Sequence, residues 1–442
     1  MGGGQPAALA EPAEGMNTMT LSIVVVGAGP AGATAARRLA GRGARVTLLE
    51  ARRLPRPKLC GGGLTPKAQR LVPLRALETV ERRVHRLELR GGLLPALRLD
   101  EPQAEIAMVE RARFDLALTE AAANAGAEVR DGERGDGVAE DASGVTLTTR
   151  RGRLRADLVV AADGDSSGIA RRLGLGGPAA RHALALEVDL PLGTAPPVDT
   201  AILSFGVRGG YAWYFPKGDH ANVGAGSYRE TDPRVLRAAL DRFARGLGLD
   251  LTDGRIAGHW IPQGLRAGPL ASSRVVLAGD AAATADPLFG EGIAYAIISA
   301  VAASDAIVEL EAGRATDLRP YDRRLRTLLG PALRRLELAA RAAEPSMTLA
   351  LGTIRLSRGV REVAIDVIAG RRPPFAVDAH CELACTCGID HDPPDGAACA
   401  PPCPHQLPNA DAVVTCHAGP GSQLACGSGS SPFQRREVQL AA

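Results

Sequence analysis

The stretch from 23 to 50 places the strongest limit on how this 442-residue chain can fold. An apolar run at 23–26 predicts a parallel strand buried on both faces. A glycine-rich turn and an alanine-rich helix follow it directly, and a second apolar strand at 46–49 ends on an acid, Glu50. The residues of the turn that matter are Gly27, Gly29, Ala31 and Gly32.

Glycines at these spacings allow a tight turn, a close approach of the backbone to a pyrophosphate, and close packing of the helix on the strand. Glu50 lies where a carboxylate accepts hydrogen bonds from the ribose hydroxyls of an adenosine. Because strand, glycines, helix and acid stand in register, the stretch predicts dinucleotide binding, with FAD and NAD both open. The alternative is a glycine-rich turn in some other α/β fold.

Composition narrows the class of protein further. The apolar fraction of 45% supports a real core, and a net charge of +3 is too small to favour nucleic acid as a partner. We find no uncharged apolar run of about 18 residues and therefore expect no membrane-spanning segment. Residues 1–19 lack the features of a signal peptide and read as a disordered leader. The expected location is the cytoplasm, with peripheral contact to a membrane left open.

A loop rich in glycine and proline follows Glu50. It contains Lys58-Leu-Cys60-Gly61-Gly62-Gly63, and consecutive glycines indicate backbone that lies close to something flat or charged. Cys60 is a candidate nucleophile or proton donor, and equally a candidate for a small buried side chain.

Two further segments end a buried strand on an aspartate, which is where open α/β sheets bind ligands. In the first, the apolar run from Leu158 ends at Asp163-Gly164, although this pair also fits a plain turn with Ser167 as helix cap. In the second, the run from Arg274 ends at Gly279-Asp280, where a carboxylate suits a ribityl hydroxyl. The loop after Asp280 then opens a long helix whose N-terminus would offer N–H groups and positive potential to the pyrimidine edge of a flavin. The residues singled out in that loop are Pro287, Gly290, Gly292 and Ile293.

The region 181–268 differs in pattern, with alternating strands and most of the aromatic residues, and predicts an antiparallel sheet that forms one wall of a cavity. Tyr211, Trp213 and Phe215 are spaced by two and therefore share one face of a strand. They form either an aromatic core layer or, if a flavin lies opposite, an apolar binding wall. Pro216, Gly224 and Gly226 complete the motif.

Together the three strand-end motifs resemble the flavoprotein group that includes p-hydroxybenzoate hydroxylase, from residue 23 to about 370. Lys58-x-Cys60-Gly-Gly and Tyr211-x-Trp213-x-Phe215-Pro216, followed by Gly224-x-Gly226, resemble one branch of it, the geranylgeranyl reductase family. The resemblance implies FAD rather than NAD as the bound dinucleotide. It places Cys60, Gly61, Asp163, Gly164 and Arg111 against the cofactor, and the aromatic motif against an isoprenoid.

The implied fold is α/β (α+β), with a Rossmann-like parallel sheet and an inserted antiparallel sheet. We expect a discontinuous FAD-binding domain at 20–180 and 270–318, a substrate-binding sheet domain at 181–269, and C-terminal helices at 321–329, 332–343 and 347–368. These helices are expected to pack on the flavin domain. The tail at 373–442 is rich in Cys, Pro and Gly without a known zinc spacing, so we expect no metal and no stable core there.

The implied reaction is FAD-dependent saturation of carbon–carbon double bonds in a prenyl chain on a lipid, chlorophyll, quinone or diphosphate. An isolated alkene must be protonated as hydride arrives, and Cys60 and Tyr211 are the candidate proton donors. The expected electron donor is NAD(P)H or reduced ferredoxin. Because no second GxGxxG unit follows, a nicotinamide would bind only transiently. The alternatives are an FAD-dependent aromatic monooxygenase and a non-catalytic protein that binds flavin or lipid.

Overall fold

The computed structural model describes residues 19–192, 196–252 and 254–369. The predicted leader, apart from Met19, and the predicted cysteine-rich tail lie outside the described residues.

Eighteen strands and ten α-helices make up this part of the chain. The strands are β1 (Ser22–Val26), β2 (Arg45–Glu50), β3 (Gly63–Leu64), β4 (Val80–Val84), β5 (Arg86–Arg90), β6 (Leu97–Asp100), β7 (Ile106–Val109), β8 (Glu128–Asp131), β9 (Gly135–Asp141), β10 (Gly144–Thr149), β11 (Gly152–Ala156), β12 (Leu158–Ala161), β13 (Ala179–Pro191), β14 (Thr200–Ser204), β15 (Gly210–Pro216), β16 (His220–Ser227), β17 (Ala257–Arg266) and β18 (Val275–Leu277). The helices are α1 (Pro30–Ala40), α2 (Pro66–Gln69), α3 (Leu74–Leu77), α4 (Arg111–Asn124), α5 (Gly168–Arg172), α6 (Pro233–Gly246), α7 (Ile293–Glu311), α8 (Pro320–Ala343), α9 (Met347–Leu356) and α10 (Arg358–Ala369).

A five-stranded parallel sheet forms the centre of the nucleotide-binding half. Its order is β18-β12-β1-β2-β8, so the strands that end on the three predicted acids lie in one sheet. The apolar runs of β1, β12 and β18 are buried because helices and the three-stranded sheet β11-β10-β9 pack on the parallel sheet, with α1 packed against both α4 and α7. This arrangement confirms the predicted fold class.

A seven-stranded sheet forms the opposite wall, in the order β17-β13-β16-β15-β14-β5-β6. It contains the antiparallel sheet predicted for 181–268 and extends it with strands that the prediction did not include. β5 and β6 come from earlier in the chain, and β5 pairs with β14 in parallel. The region also contains a helix, α6, whose Leu236 and Leu240 pack on the face of the sheet turned away from the aromatic motif.

The C-terminal helices differ from the prediction because packing outweighs local breakers. α8 runs without a break through Pro331, although proline inside a helix costs about 3 kcal/mol. Buried leucines on one side of α8 anchor it to the core on both sides of that proline. Conversely, the predicted helix at 347–368 is interrupted at Ser357. The anchoring leucines are Leu325, Leu329, Leu333 and Leu336.

α8 and α9 pack against different parts of the molecule. On α8, the Tyr321 hydroxyl donates to the Leu277 carbonyl of the parallel sheet at 2.7 Å, as expected for a layer on the flavin domain. On α9, Leu351 instead packs with Leu89 and Trp213 of the seven-stranded sheet. The start of α4 is also earlier than predicted, at Arg111 rather than Asp115, because the Glu110 side chain caps the helix.

Within the described residues, α7 is the one helix that is long and apolar enough to cross a membrane. Of its most apolar window, 67% is buried inside the protein, where Tyr295, Ile297 and Ala300 contribute to the core. α7 is therefore a core helix of the parallel-sheet layer.

Candidate active site

A cavity of about 1850 Å³ lies between the carboxyl ends of the parallel strands and the aromatic face of the seven-stranded sheet. Most of the predicted site residues line it. Those in its wall are Gly27, Gly29, Ala31, Glu50, Cys60, Gly61, Arg111, Asp163, Gly164, Tyr211, Trp213, Phe215, Gly226, Asp280, Pro287, Gly290, Gly292 and Ile293.

Three predicted site residues lie behind the wall rather than in it. Gly32 packs on the backbone of Gly27, and Gly224 lies beneath the ring of Trp213. Pro216 follows Phe215 directly and is buried on the other side of β15, as the alternation of a strand requires. These positions shape the wall without facing the cavity.

The glycine-rich turn leaves the N-terminus of α1 open to the cavity. Gly27 has a φ of +100°, and a Cβ there would lie 2.3 Å from the Ala162 oxygen. At Gly29, by contrast, a Cβ would meet only an Arg56 nitrogen, at 3.9 Å. No side chain caps α1 at Gly29, so the first N–H groups of the helix remain available to an anion.

Glu50 is held in place by a buried network. Its Oε2 accepts the Ala28 N–H at 3.0 Å and pairs with Arg56 Nε at 3.1 Å, while its Oε1 accepts the Arg52 N–H. Arg56 in turn pairs with the fully buried Asp115, which also binds Arg111 through two nitrogens. The network orients the carboxylate of Glu50 at the end of β2.

The contacts of Asp163 agree with both interpretations of its sequence, a turn before a capped helix and a group that faces a ligand. Its Oδ2 accepts the Gly168 N–H at 3.0 Å, and Ser167 caps α5 through the Ala170 N–H at 2.9 Å. The other oxygen, Oδ1, is buried and has no hydrogen-bond partner in the described residues, and burial raises the pKa of Asp163. The capping contacts therefore leave one oxygen of Asp163 unused beside the cavity.

The loop before α7 is ordered by a residue that the sequence reasoning did not single out. Asp286 accepts N–H groups from Leu288, Phe289 and Glu291 at 2.7–3.0 Å. Glu291 forms an ion pair with Lys67 on α2, whose side chain is buried. This loop presents the N-terminus of α7 at Gly292, again without a side-chain cap.

The Cys60 loop lies against the aromatic strand. A Cβ on Gly61 would lie 2.7 Å from the Phe215 ring and 3.6 Å from Trp213 Nε1, so glycine is required for this approach. The Cys60 sulfur accepts the Gly62 N–H at 3.4 Å and also interacts with the Arg111 guanidinium. The loop therefore joins the two sides of the cavity.

The aromatic residues share a face, as predicted. Ring centroids are 5.9 Å apart between Tyr211 and Trp213 and 6.3 Å apart between Trp213 and Phe215. Trp213 is only 6% exposed and donates to Asn222 Oδ1 at 2.7 Å, yet it lines the cavity. The two readings of the motif, core layer and binding wall, are therefore not exclusive.

The sequence reasoning also missed polar residues on the seven-stranded-sheet side of the cavity, among them Glu187 on β13, Lys217 after β15 and His259 on β17. Glu187 and Lys217 are 3% and 2% exposed. Burial raises the pKa of Glu187 to about 7 and lowers the pKa of His259 to about 4. Alternating strands give no sign of whether a charged residue faces solvent or an internal cavity.

The cavity fits FAD. Two uncapped helix N-termini, at Gly29 and Gly292, face the same space. The open approach at Gly29 suits a pyrophosphate, Glu50 suits the adenosine ribose, and Asp280 suits a hydroxyl of the ribityl chain. The α7 N-terminus would favour negative charge on the pyrimidine edge of a flavin.

Comparison with known proteins agrees with this fit. Residues 20–325 match the FAD binding domain family. The chain is 30% identical to digeranylgeranylglycerophospholipid reductase of Thermoplasma volcanium over 68% of its own length and 81% of the relative. It is also 30% identical to the chloroplastic geranylgeranyl diphosphate reductase of Oryza sativa, over 68% of this chain and 70% of the relative.

Among solved structures, a geranylgeranyl bacteriochlorophyll reductase-like protein of Thermoplasma acidophilum superposes with a TM-score of 0.64. The match covers 83% of this chain and 96% of the other at 24% identity, which supports the shared fold. The bound dinucleotide that the glycine-rich turn predicts is therefore FAD. This chain belongs to the geranylgeranyl reductase family of FAD-dependent oxidoreductases.

Proposed function

We propose that this chain reduces carbon–carbon double bonds of an isoprenoid chain carried on a lipid, chlorophyll, quinone or diphosphate. The observation that carries the proposal is the continuity of one cavity from the Gly29 and Gly292 helix ends to the face of Tyr211, Trp213 and Phe215. An apolar chain laid on that face would reach the flavin end of the cavity. The names of the relatives agree with a prenylated substrate.

An isolated trisubstituted alkene is a poor hydride acceptor because no carbonyl group withdraws its electrons. FAD supplies the hydride, so the protein has to supply a proton donor, exclude water and stabilise positive charge on the substituted carbon. The faces of Trp213 and Phe215 suit the last task, since aromatic rings attract cations. The apolar contacts of these rings with Leu203 and Met347 help to exclude water.

The two candidate proton donors, Tyr211 and Cys60, differ in whether their proton is available to a substrate. The Tyr211 hydroxyl donates to the Phe289 carbonyl, and burial raises its pKa, so its proton is committed and weakly acidic. Cys60 lies in the loop that meets the aromatic strand, where we place it against both cofactor and substrate.

Electrons reach the flavin from NAD(P)H or from reduced ferredoxin, each binding transiently.

We further propose that α9 and α10 contact an anionic membrane surface. Leu349 and Leu356 of α9 are 70% and 86% exposed beside Arg355 and Arg358, while Met347 at the start of α9 lines the cavity. A lipid-borne chain would then pass from the membrane along α9 into the cavity.

The test is mass spectrometry of prenyl lipids from cells that express the chain, with the Trp213→Ala variant as control. The proposal expects products heavier by two hydrogens for each bond reduced, formed by the wild type alone. Oxygenated products with consumption of NAD(P)H would favour a monooxygenase. Flavin that is reduced but never passes electrons to an alkene would indicate a binding protein.

A further inference from the structure

We propose that Glu187 is the catalytic acid of this site, the group whose proton is delivered to the alkene as hydride reaches the neighbouring carbon. The inference rests on the proposed function and assigns a role to a residue outside every sequence motif. It follows from where Glu187 lies in the sheet, how it is buried and what surrounds it.

Glu187 and Trp213 occupy one row across the sheet. Both residues pair with Gly224 of β16, one from each side, so their side chains lie on the same face. Gly224 has no side chain, and the indole of Trp213 lies over it. The carboxyl group is therefore on the aromatic wall itself, beside the ring best suited to stabilise a cation.

The side chain of Glu187 is buried, and only one of its two carboxyl oxygens has a hydrogen-bond partner among the described residues. It is 3% exposed and lines the cavity. It accepts the Cys60 N–H, but Oε2 has no hydrogen-bond partner in the part of the chain that the structure describes. A buried carboxylate with an unused oxygen is costly, whereas a carboxylic acid at the same place has a proton to donate.

The surroundings of Glu187 keep its pKa near neutral pH, so that both its protonated and its ionised form are populated. Burial raises its pKa to about 7, the Asp189 carboxylate on the same strand adds to this, and Lys217 and Arg111 oppose it. His259 on the neighbouring β17 is neutral at this pH, because burial lowers its pKa to about 4. An acid with a pKa near the working pH transfers its proton most effectively.

The step balances without further reagents. The O–H bond of Glu187 breaks, and the alkene π electrons form a C–H bond to that proton. Reduced FAD, when bound, would supply the hydride for the second C–H bond, so the alkene would gain two electrons and the flavin would return to its oxidised form. The carboxylate that remains faces the Lys217 ammonium and is reprotonated from solvent before the next turnover.

The first measurement is infrared difference spectroscopy of the FAD-loaded wild type against Glu187→Gln, across pH 5 to 9. We expect a carboxylic C=O band in the wild type at pH 6 that disappears with an apparent pKa of about 7. The band should be missing from the variant. Its absence from the wild type at pH 6 would overturn the inference, even for an enzyme that reduces prenyl chains.

The second measurement follows reoxidation of pre-reduced enzyme by a prenyl substrate without oxygen. Glu187→Gln should slow this step by about 10²–10⁴-fold, the usual contribution of a general acid. Flavin content and reduction by dithionite should match the wild type. The fall in wild-type rate above pH 7 should disappear in the variant.

Two comparisons separate a catalytic role from a supporting one. Glutamine keeps an oxygen for the Cys60 N–H, so undiminished reoxidation by Glu187→Gln would show that Glu187 only holds the Cys60 loop. Asp241→Asn removes a carboxylate on α6, which packs on the opposite face of the sheet, and should reoxidise at nearly the wild-type rate. If the wild type reduces no prenyl substrate, the proposed function fails, and the infrared band reports separately whether Glu187 carries a proton.

Discussion

The indole of Trp213 lies so close over Gly224 that a Cβ at position 224 would fall 2.1 Å from Cζ2 of the ring. Glycine at this position therefore fixes where the indole can lie on the aromatic wall. At Gly226, two residues on, the nearest ring atom would be 3.5 Å away, which is an ordinary contact.

Gly224→Ala should displace the Trp213 ring, cost about 1–3 kcal/mol of stability by overpacking, and lower prenyl reduction at least tenfold. Gly226→Ala should have a smaller effect on both. FAD content should be retained in each variant, because the glycine-rich turn follows β1 of the parallel sheet, whereas Gly224 and Gly226 belong to the seven-stranded sheet. Equal losses in turnover for the two variants would contradict this account of the wall.

Gly27 and Gly29 should separate folding from cofactor binding. Gly27→Ala places a side chain at φ +100° against the Ala162 oxygen, so the apoprotein should lose stability. Gly29 has a φ of −81°, which alanine adopts freely, and its Cβ would project toward the cavity. Gly29→Ala should therefore keep the melting temperature of the apoprotein but weaken FAD binding about tenfold or more. Calorimetry and flavin titration of both variants provide the test.

Glu187 should make folding stability depend on pH. Its pKa rises from 4.5 to about 7 on folding, so the native state binds the proton more tightly. Protonation of Glu187 therefore adds to the free energy of unfolding, by about 3 kcal/mol at most. This contribution is fully present below pH 4.5 and is lost as the pH rises through 7. Denaturant unfolding of the wild type and Glu187→Gln should diverge over this window and run parallel above it. His259 titrates alike in both proteins and cancels, and parallel curves throughout would contradict the shift.

The exposed leucines of α9 should govern binding to anionic vesicles. Leu349→Gln with Leu356→Gln should reduce co-sedimentation several-fold, because each removes apolar surface from the interface. Val235→Gln is the matched control, since Val235 is half exposed on α6, behind the opposite face of the sheet. Loss of binding in the control as well, or none in the double variant, would argue against this surface.

The position of the predicted cofactor-binding residues at one edge of the parallel sheet could be predicted from the sequence, because each of their motifs is local. Gly27, Asp163 and Asp280 each end or follow a short buried strand, and parallel strands bring such ends to one edge. The shared face of Tyr211, Trp213 and Phe215 follows from strand alternation alone.

Other features depend on contacts between residues far apart in the chain and could not be predicted from local sequence patterns. The pairing of β5 with β14 joins segments more than a hundred residues apart, so no turn between them indicates the pairing in the sequence. Glu187 sits in an alternating strand, where an acid normally marks a face in water. Pro331 reads as a helix end, yet buried leucines carry α8 through it.

The interleaving of the two sheets also sets the order of events during synthesis. β1 and β2 leave the ribosome early, but β18 and Ile293 follow only after β13 to β17 have been made. A nascent chain that ends before Ile293 has the turn for the pyrophosphate without the second helix end that lines the same cavity. Flavin capture is therefore a late step, and the growing chain must keep its apolar wall from aggregating until the cofactor half closes over it.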